Sequence, residues 1–94
     1  MRFEWDEAKS RRNAVKHRLS FETAALVFDD PQAISYPERV VEGEERWQTI
    51  GLIGGSVIIL VAHTYEESEG EPFIRIISAR KATAAERRIY EKPY

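Results

Sequence analysis

Two apolar runs, residues 46–53 and 56–64, meet at Gly54-Gly55. A glycine pair takes the positive φ angles of a tight primed turn without steric cost, and the flanking β-branched residues favour extended backbone. A β-hairpin is therefore the most constrained element of the chain. A lone hairpin is not stable in water, so the remaining sequence must supply further strands and covering helices. With Gly54 and Gly55 as the two turn residues, Leu52 faces Val57, Ile50 faces Ile59, Gln48 faces Val61 and Arg46 faces His63. Opposed side chains share a face of the sheet. This register predicts a face that is apolar near the turn and ends with an arginine beside a histidine. The other face carries Trp47, Ile53, Ile58, Leu60 and Ala62, so the hairpin is expected to be covered on both sides. A slip of one residue would break the Arg46–His63 pairing.

The flanking segments read as helices and shorter strands. Arg2–Trp5 suits a strand, and Asp6 caps a helix running to about His17. On that helix Lys9, Arg12 and Lys16 form a basic stripe, with Ala8 and Val15 on another face beside Trp5. Ser20 caps a second helix whose Phe21, Ala24, Ala25 and Phe28 follow helical spacing, and Asp29-Asp30-Pro31 ends it. Ala33–Tyr36 reads as a short strand interrupted at Pro37, residues 66–71 as a solvated acidic loop, and Phe73–Ala79 as a further strand. Thr83-Ala84-Ala85-Glu86 has the form of a capping box and opens a last helix through about Tyr90. The expected class is α+β, in the order β-α-α-β-β-β-β-α, with an antiparallel sheet packed by helices.

Ninety-four residues with no repeat or linker predict one domain spanning 1–94. The absence of cysteine excludes disulfides, thiolate zinc sites and a thiol nucleophile, and two histidines argue against a dedicated zinc site. The longest apolar stretch, Val57–Ala62, cannot span a bilayer, and the N-terminus has no apolar secretory segment, so no membrane partner and a cytoplasmic protein are expected. The net charge of −2 hides a division: six Lys/Arg against three acids over residues 1–18, two against eleven over 19–74, and six against two over 75–94. Two basic ends that meet in space would suit a phosphate-bearing partner.

Several side chains stand out as chemistry-bearing. His63 is the natural proton-transfer group near neutrality, and an adjacent Arg46 would hold a phosphate oxygen. Arg75 lies inside an apolar strand, where its charge requires a carboxylate or a function. Arg80-Lys81 precedes the first turn of the last helix, a place suited to an anion. Glu86 and Tyr90 share one face of that helix. There is no Gly-rich phosphate loop, no G-x-S-x-G elbow and no calcium loop.

Taken in order, Phe3-Glu4-Trp5-Asp6 with Lys9 and Asn13, Lys16-His17, Ser20-Phe21 with Ala24 and Val27-Phe28, and Asp30-Pro31 form a recognisable series. It continues through Gly43-Glu44 with Arg46, Ile50-Gly51, Val61 with His63-Thr64, Arg75-Ile76-Ile77-Ser78-Ala79-Arg80-Lys81-Ala82, and Glu86-Arg87 with Tyr90. Over nearly the whole chain this set resembles the BrnT family, the toxin half of a bacterial type II toxin–antitoxin system. The resemblance implies a RelE-like α+β fold and a metal-independent endoribonuclease without cofactor. It also implies a BrnA-type ribbon-helix-helix antitoxin, which neutralises the toxin and carries it to operator DNA. On that reading His63 is acid or base, Arg46 and Arg80 stabilise phosphate charge, and Glu86 or Tyr90 completes proton transfer. Lys9, Arg75 and Lys81 position the RNA. The competing reading is a non-catalytic module that binds a ribbon-helix-helix partner and acts as an operon corepressor, for which the acidic middle would supply the docking surface.

Overall fold

Strand β1 (Arg2–Glu4) leads into helix α1 (Glu7–His17), and the side chain of Asp6 accepts from the N–H groups of Ala8 and Lys9 as the cap. Ser20 caps α2 (Phe21–Ala24), which tightens into a 3₁₀ turn over Ala25–Asp29. Five more strands follow: β2 (Ile34–Val41), β3 (Glu44–Ile53), β4 (Val57–His63), β5 (Glu66–Ser68) and β6 (Glu71–Lys81). Helix α3 (Ala84–Glu91) closes the order behind the Thr83–Glu86 capping box. These elements come from a computed structural model that describes residues 1–92. Residues 93–94, which the single-domain expectation includes, lie outside the described part. Among the described residues no helix is long and apolar enough to cross a membrane.

The sheet order is β1-β6-β4-β3-β2, with β5 pairing β6. The α+β class holds, with three differences from the expected outline. The strand at Ala33–Tyr36 extends through Pro37 to Val41, because β2 is the sheet edge and a bulge between Pro37 and Arg39 absorbs the missing N–H. Residues 66–71 are not a loop: Glu69 and Gly70 take positive φ and turn β5 back onto β6. The sheet is also not wholly antiparallel, since β1 pairs with β6 in parallel.

The Gly54-Gly55 turn forms as expected, with φ of 59° and 71° and the N–H of Ser56 donating to the Ile53 carbonyl. Ser56, however, stays out of the ladder. Ile53 pairs with Val57, Ile50 with Leu60 and Trp47 with His63, one residue away from the expected register. The period of a strand is two, so this slip sends Arg46 and His63 to opposite faces.

The face bearing His63 is covered by α1, α2 and the 3₁₀ turn. There Phe21, Ala24, Val27, Ile59, Val61, Ile74, Ile76 and Ala79 form the core. Gly51 is required on this face, because a Cβ there would lie 2.5 Å from Val27 Cγ2. The buried side of α1 is polar rather than apolar. Val15 is 86% exposed, while Asn13 donates to the carbonyls of Leu19 and Ala79 and accepts from the Ala79 N–H. Asn13 thus ties α1 to the β6 backbone, and Ser10 accepts from Phe21 N–H.

The opposite face carries the rows Ile34–Ile50–Leu60–Arg80 and Tyr36–Gln48–Ala62–Ser78, with Arg46 beyond them. Helix α3 packs on β3 over the first row, and Ile50 and Leu60 are buried. The rest of this face is open.

Candidate active site

On the open face β3 projects Glu44 and Arg46 two residues apart, hence on the same side, and β6 projects Arg75. Arg75 Nη2 donates to Glu44 Oε1 at 2.6 Å, and Arg46 Nε lies 3.7 Å from the same oxygen. The strand-interior charge of Arg75 therefore has its carboxylate. Arg46 Nε is buried without a hydrogen-bond partner. Lys9 of α1, Arg46 and Arg75 line one pocket with Asp6, Ile76 and Ile77. The β6 bulge at Ile77, where the pairing steps from Ala62–Ser78 to His63–Ile76, opens this pocket toward α1. Lys9 makes no ion pair among the described residues, and Asp6 is engaged as the α1 cap.

Farther along the same face, Arg80 donates to both oxygens of Glu86 at 2.8 and 2.9 Å. Bonding to Arg80 holds the Glu86 carboxyl down to about 2, helped by the Thr83 N–H, and Glu86 in turn raises Arg80. Tyr36, two rungs away on β2, is half-buried; burial and the charge of Glu86 push its phenol up. Arg46 and Arg80 stand two strands and four rungs apart, about 10 Å across and about 13 Å along the sheet. They share a face but not a single phosphate.

His63 is elsewhere. It is 2% exposed, on the covered face, with Phe28 edge-on at 5.0 Å between ring centroids. Its Nδ1 bonds the Thr64 carbonyl at 2.9 Å, and Nε2 lies 2.7 Å from Thr49 Oγ1, which bonds Ser35 Oγ. Burial lowers its pKa. The expected Arg46–His63 pair is thus corrected: the Ser56 insertion separates them.

Tyr90 shares the α3 face with Glu86 but reaches past the sheet edge, donating to Asp30 Oδ2 at 2.7 Å. That bond pushes its phenol up to about 12. Lys81, next to Arg80 in an extended strand, turns to the other side and lines a separate pocket with Ser56, Val57, Ile58 and Arg87. Lys9, Arg46 and Arg75 are therefore brought together, and Arg80 joins Glu86. His63, Tyr90 and Lys81 stand apart from both groups.

Two residues on this face escaped the sequence reading of the site. Glu44 was legible in principle, because a residue two before Arg46 shares its face if both lie in one strand. Tyr36 was hidden by the Glu42-Gly43 turn, whose positive φ angles of 50° and 80° set the β2–β3 pairing. Among the described residues no three His, Asp or Glu side chains converge as metal ligands.

A family model described as "Ribonuclease toxin, BrnT, of type II toxin-antitoxin system" matches residues 5–86. The crystal structure at 1.1 Å resolution of the Brucella abortus ribonuclease toxin, BrnT, superposes with a TM-score of 0.66 at 28% identity. That match covers 88% of this chain and 97% of the other. No curated protein sequence matches.

Proposed function

Because the chain belongs to the BrnT family of ribonuclease toxins of type II toxin–antitoxin systems, we propose that it is a cytoplasmic endoribonuclease, residues 1–94 forming one toxin domain, that cuts RNA on the open face of its sheet. The observation that carries this reading is the pocket of Lys9, Arg46 and Arg75, in which the buried Nε of Arg46 lacks a partner. Three cations against the two carboxylates of Asp6 and Glu44 leave a net positive site that suits a phosphate with developing charge.

The reaction is in-line attack of a ribose 2′-oxygen on the adjacent phosphorus. The P–O5′ bond breaks, leaving a 2′,3′-cyclic phosphate and a 5′-hydroxyl. Arg46 and Arg75 stabilise the phosphorane. Glu44, held by Arg75 and 42% exposed, takes the 2′-hydroxyl proton, and Lys9 is the ammonium that supplies one to the leaving oxygen. Arg80 holds a neighbouring phosphate and is kept in place by Glu86, whose low pKa makes it a poor base. Lys81 touches only more distant RNA. Tyr90 fastens α3, and His63 serves the core. No metal or cofactor is invoked, since cationic side chains carry the phosphorane charge. The neutralising partner is a BrnA-like ribbon-helix-helix antitoxin, and operator DNA is reached only through it.

The test is incubation of the purified chain with single-stranded RNA in chelator, beside Arg46→Ala, Glu44→Gln and Arg80→Ala. Cleavage by wild type, reduced about a hundredfold or more by Arg46→Ala in a folded protein, is expected. Undiminished cleavage by all three variants removes this face from the reaction.

A second reading, a non-catalytic module that binds its partner and acts as a corepressor, is favoured by the largely apolar hollow lined by Met1, Phe28, Ser35, Trp47, His63, Tyr65 and Ile74 on the covered face. Growth arrest on expressing the chain alone, relieved by its antitoxin, supports the ribonuclease. A harmless chain that only strengthens the partner's DNA binding supports the module.

A further inference from the structure

The pocket of Lys9, Arg46 and Arg75 does not end at Lys9. Through Lys9 and Ile77 it continues into a groove between α1 and β6, lined by Arg12, Asn13, Lys16 and His17 on one side and Ile77 and Ser78 on the other. Lys9, Arg12 and Lys16 occupy successive turns of α1 on one face, spanning about 10 Å. All three are exposed, and none forms an ion pair among the described residues. The stripe is rigidly placed: Asn13, between Arg12 and Lys16, is buried and bonded to the β6 backbone at Ala79. A row of unpaired cations held at fixed spacing beside a strand presents a positive track that an anionic ligand would neutralise.

We propose that this groove binds the RNA backbone on one side of the cleaved phosphate, with Arg12 and Lys16 each contacting a backbone phosphate. The inference rests on the ribonuclease reading and extends it to residues outside the reacting pocket. Continuity with that pocket favours a nucleic-acid strand over an acidic protein segment. The surface is one phosphate track of about two nucleotides, and its contribution is independent of base identity. Arg12 and Lys16 are positioning residues: they hold the substrate strand and do not touch the reacting atoms.

The experiment measures binding of a 2′-O-methyl single-stranded oligonucleotide, which cannot be cleaved through the 2′-oxygen, as a function of salt. Wild type is compared with Arg12→Ala/Lys16→Ala and with Arg11→Ala/Arg88→Ala, a control that removes the same charge from exposed positions outside the groove. Each phosphate contact contributes about 0.7 to the slope of log affinity against log salt for a single strand. The groove variant is expected to lose about 1.4 of that slope while the control retains it. On a long unmodified RNA the groove variant should show KM raised about tenfold with kcat within about twofold, since the interaction is the same in ground and transition states. Equal slopes for groove variant and control overturn the proposal. So does a groove variant that binds RNA as wild type does but no longer binds the antitoxin, because the groove then serves a protein. A wild type that shows the expected slope difference yet never cleaves RNA sustains the groove and sinks the ribonuclease reading.

Discussion

Arg80 and Glu86 meet through two parallel hydrogen bonds across the junction between β6 and α3. The same carboxylate accepts from the Thr83 N–H, so one side chain caps α3 and docks it on the sheet. Glu86→Gln keeps the capping geometry but removes the charge. It is expected to cost about 1–2 kcal/mol in urea denaturation at neutral pH. The sign of the pH effect follows from a carboxyl lowered from 4.5 to about 2. The folded state binds the proton less readily, so the stabilisation is full above about pH 4.5 and is lost as pH falls toward 2. Wild type and variant should therefore converge in acid; a stability gap that persists at pH 2 would contradict the ion pair.

Tyr90 donates to an Asp30 oxygen that also accepts from the Leu52 N–H at 2.8 Å. Asp30 serves as the missing neighbour of β3 where β2 ends, and it fastens α3 from the far side of the edge. Tyr90→Phe should reduce stability by about 1 kcal/mol. Cleavage of RNA should remain within about threefold, because the hydroxyl is already committed to Asp30. A loss of about a hundredfold in kcat with an unchanged melting curve would instead return the phenol to the reacting site.

His63 has both ring nitrogens occupied in the core, and burial lowers its pKa from 6.5. The unfolded chain then binds a proton more readily than the folded one. Stability from this residue is complete above about pH 6.5 and falls as pH drops below it. The melting temperature should decline between about pH 7 and pH 5, and His63→Gln should flatten that slope while lowering the melting temperature at neutral pH. The fraction that stays folded should retain its kcat.

Gly51 faces Val27 at a distance that leaves no room for a methyl group. Gly51→Ala should cost about 1–3 kcal/mol through displacement of the 3₁₀ turn. The double variant Gly51→Ala/Val27→Ala should recover part of that loss in thermal melts, since it removes the clashing methyl. No recovery would mean that the strain lies in the β3 backbone instead.

Local chemistry made most of the fold legible. The caps at Asp6, Ser20 and Thr83 each act on N–H groups two or three residues away, so spacing alone identifies them. The Gly54-Gly55 turn is local for the same reason. Arg75 announced its need for a carboxylate because a strand-interior charge is costly wherever it sits. The division of charge along the chain allowed the basic ends to meet but did not decide it.

What spacing could not supply was the register. Whether Ser56 enters the ladder depends on how β4 seats against β6 and on which side chains the helices can cover, and those contacts are distant in sequence. With Ser56 outside, Trp47 rather than Arg46 opposes His63, the histidine goes into the core, and Arg46 joins Arg75 and Lys9. Val15 on the surface and Asn13 in the interior have the same origin, since α1 meets a bare strand edge whose polar backbone asks for an amide. The amino-acid sequence by itself determined the helix starts with their caps and the central glycine turn. The tertiary structure alone decided which cations share a pocket, because in a sheet one residue of register exchanges its two faces.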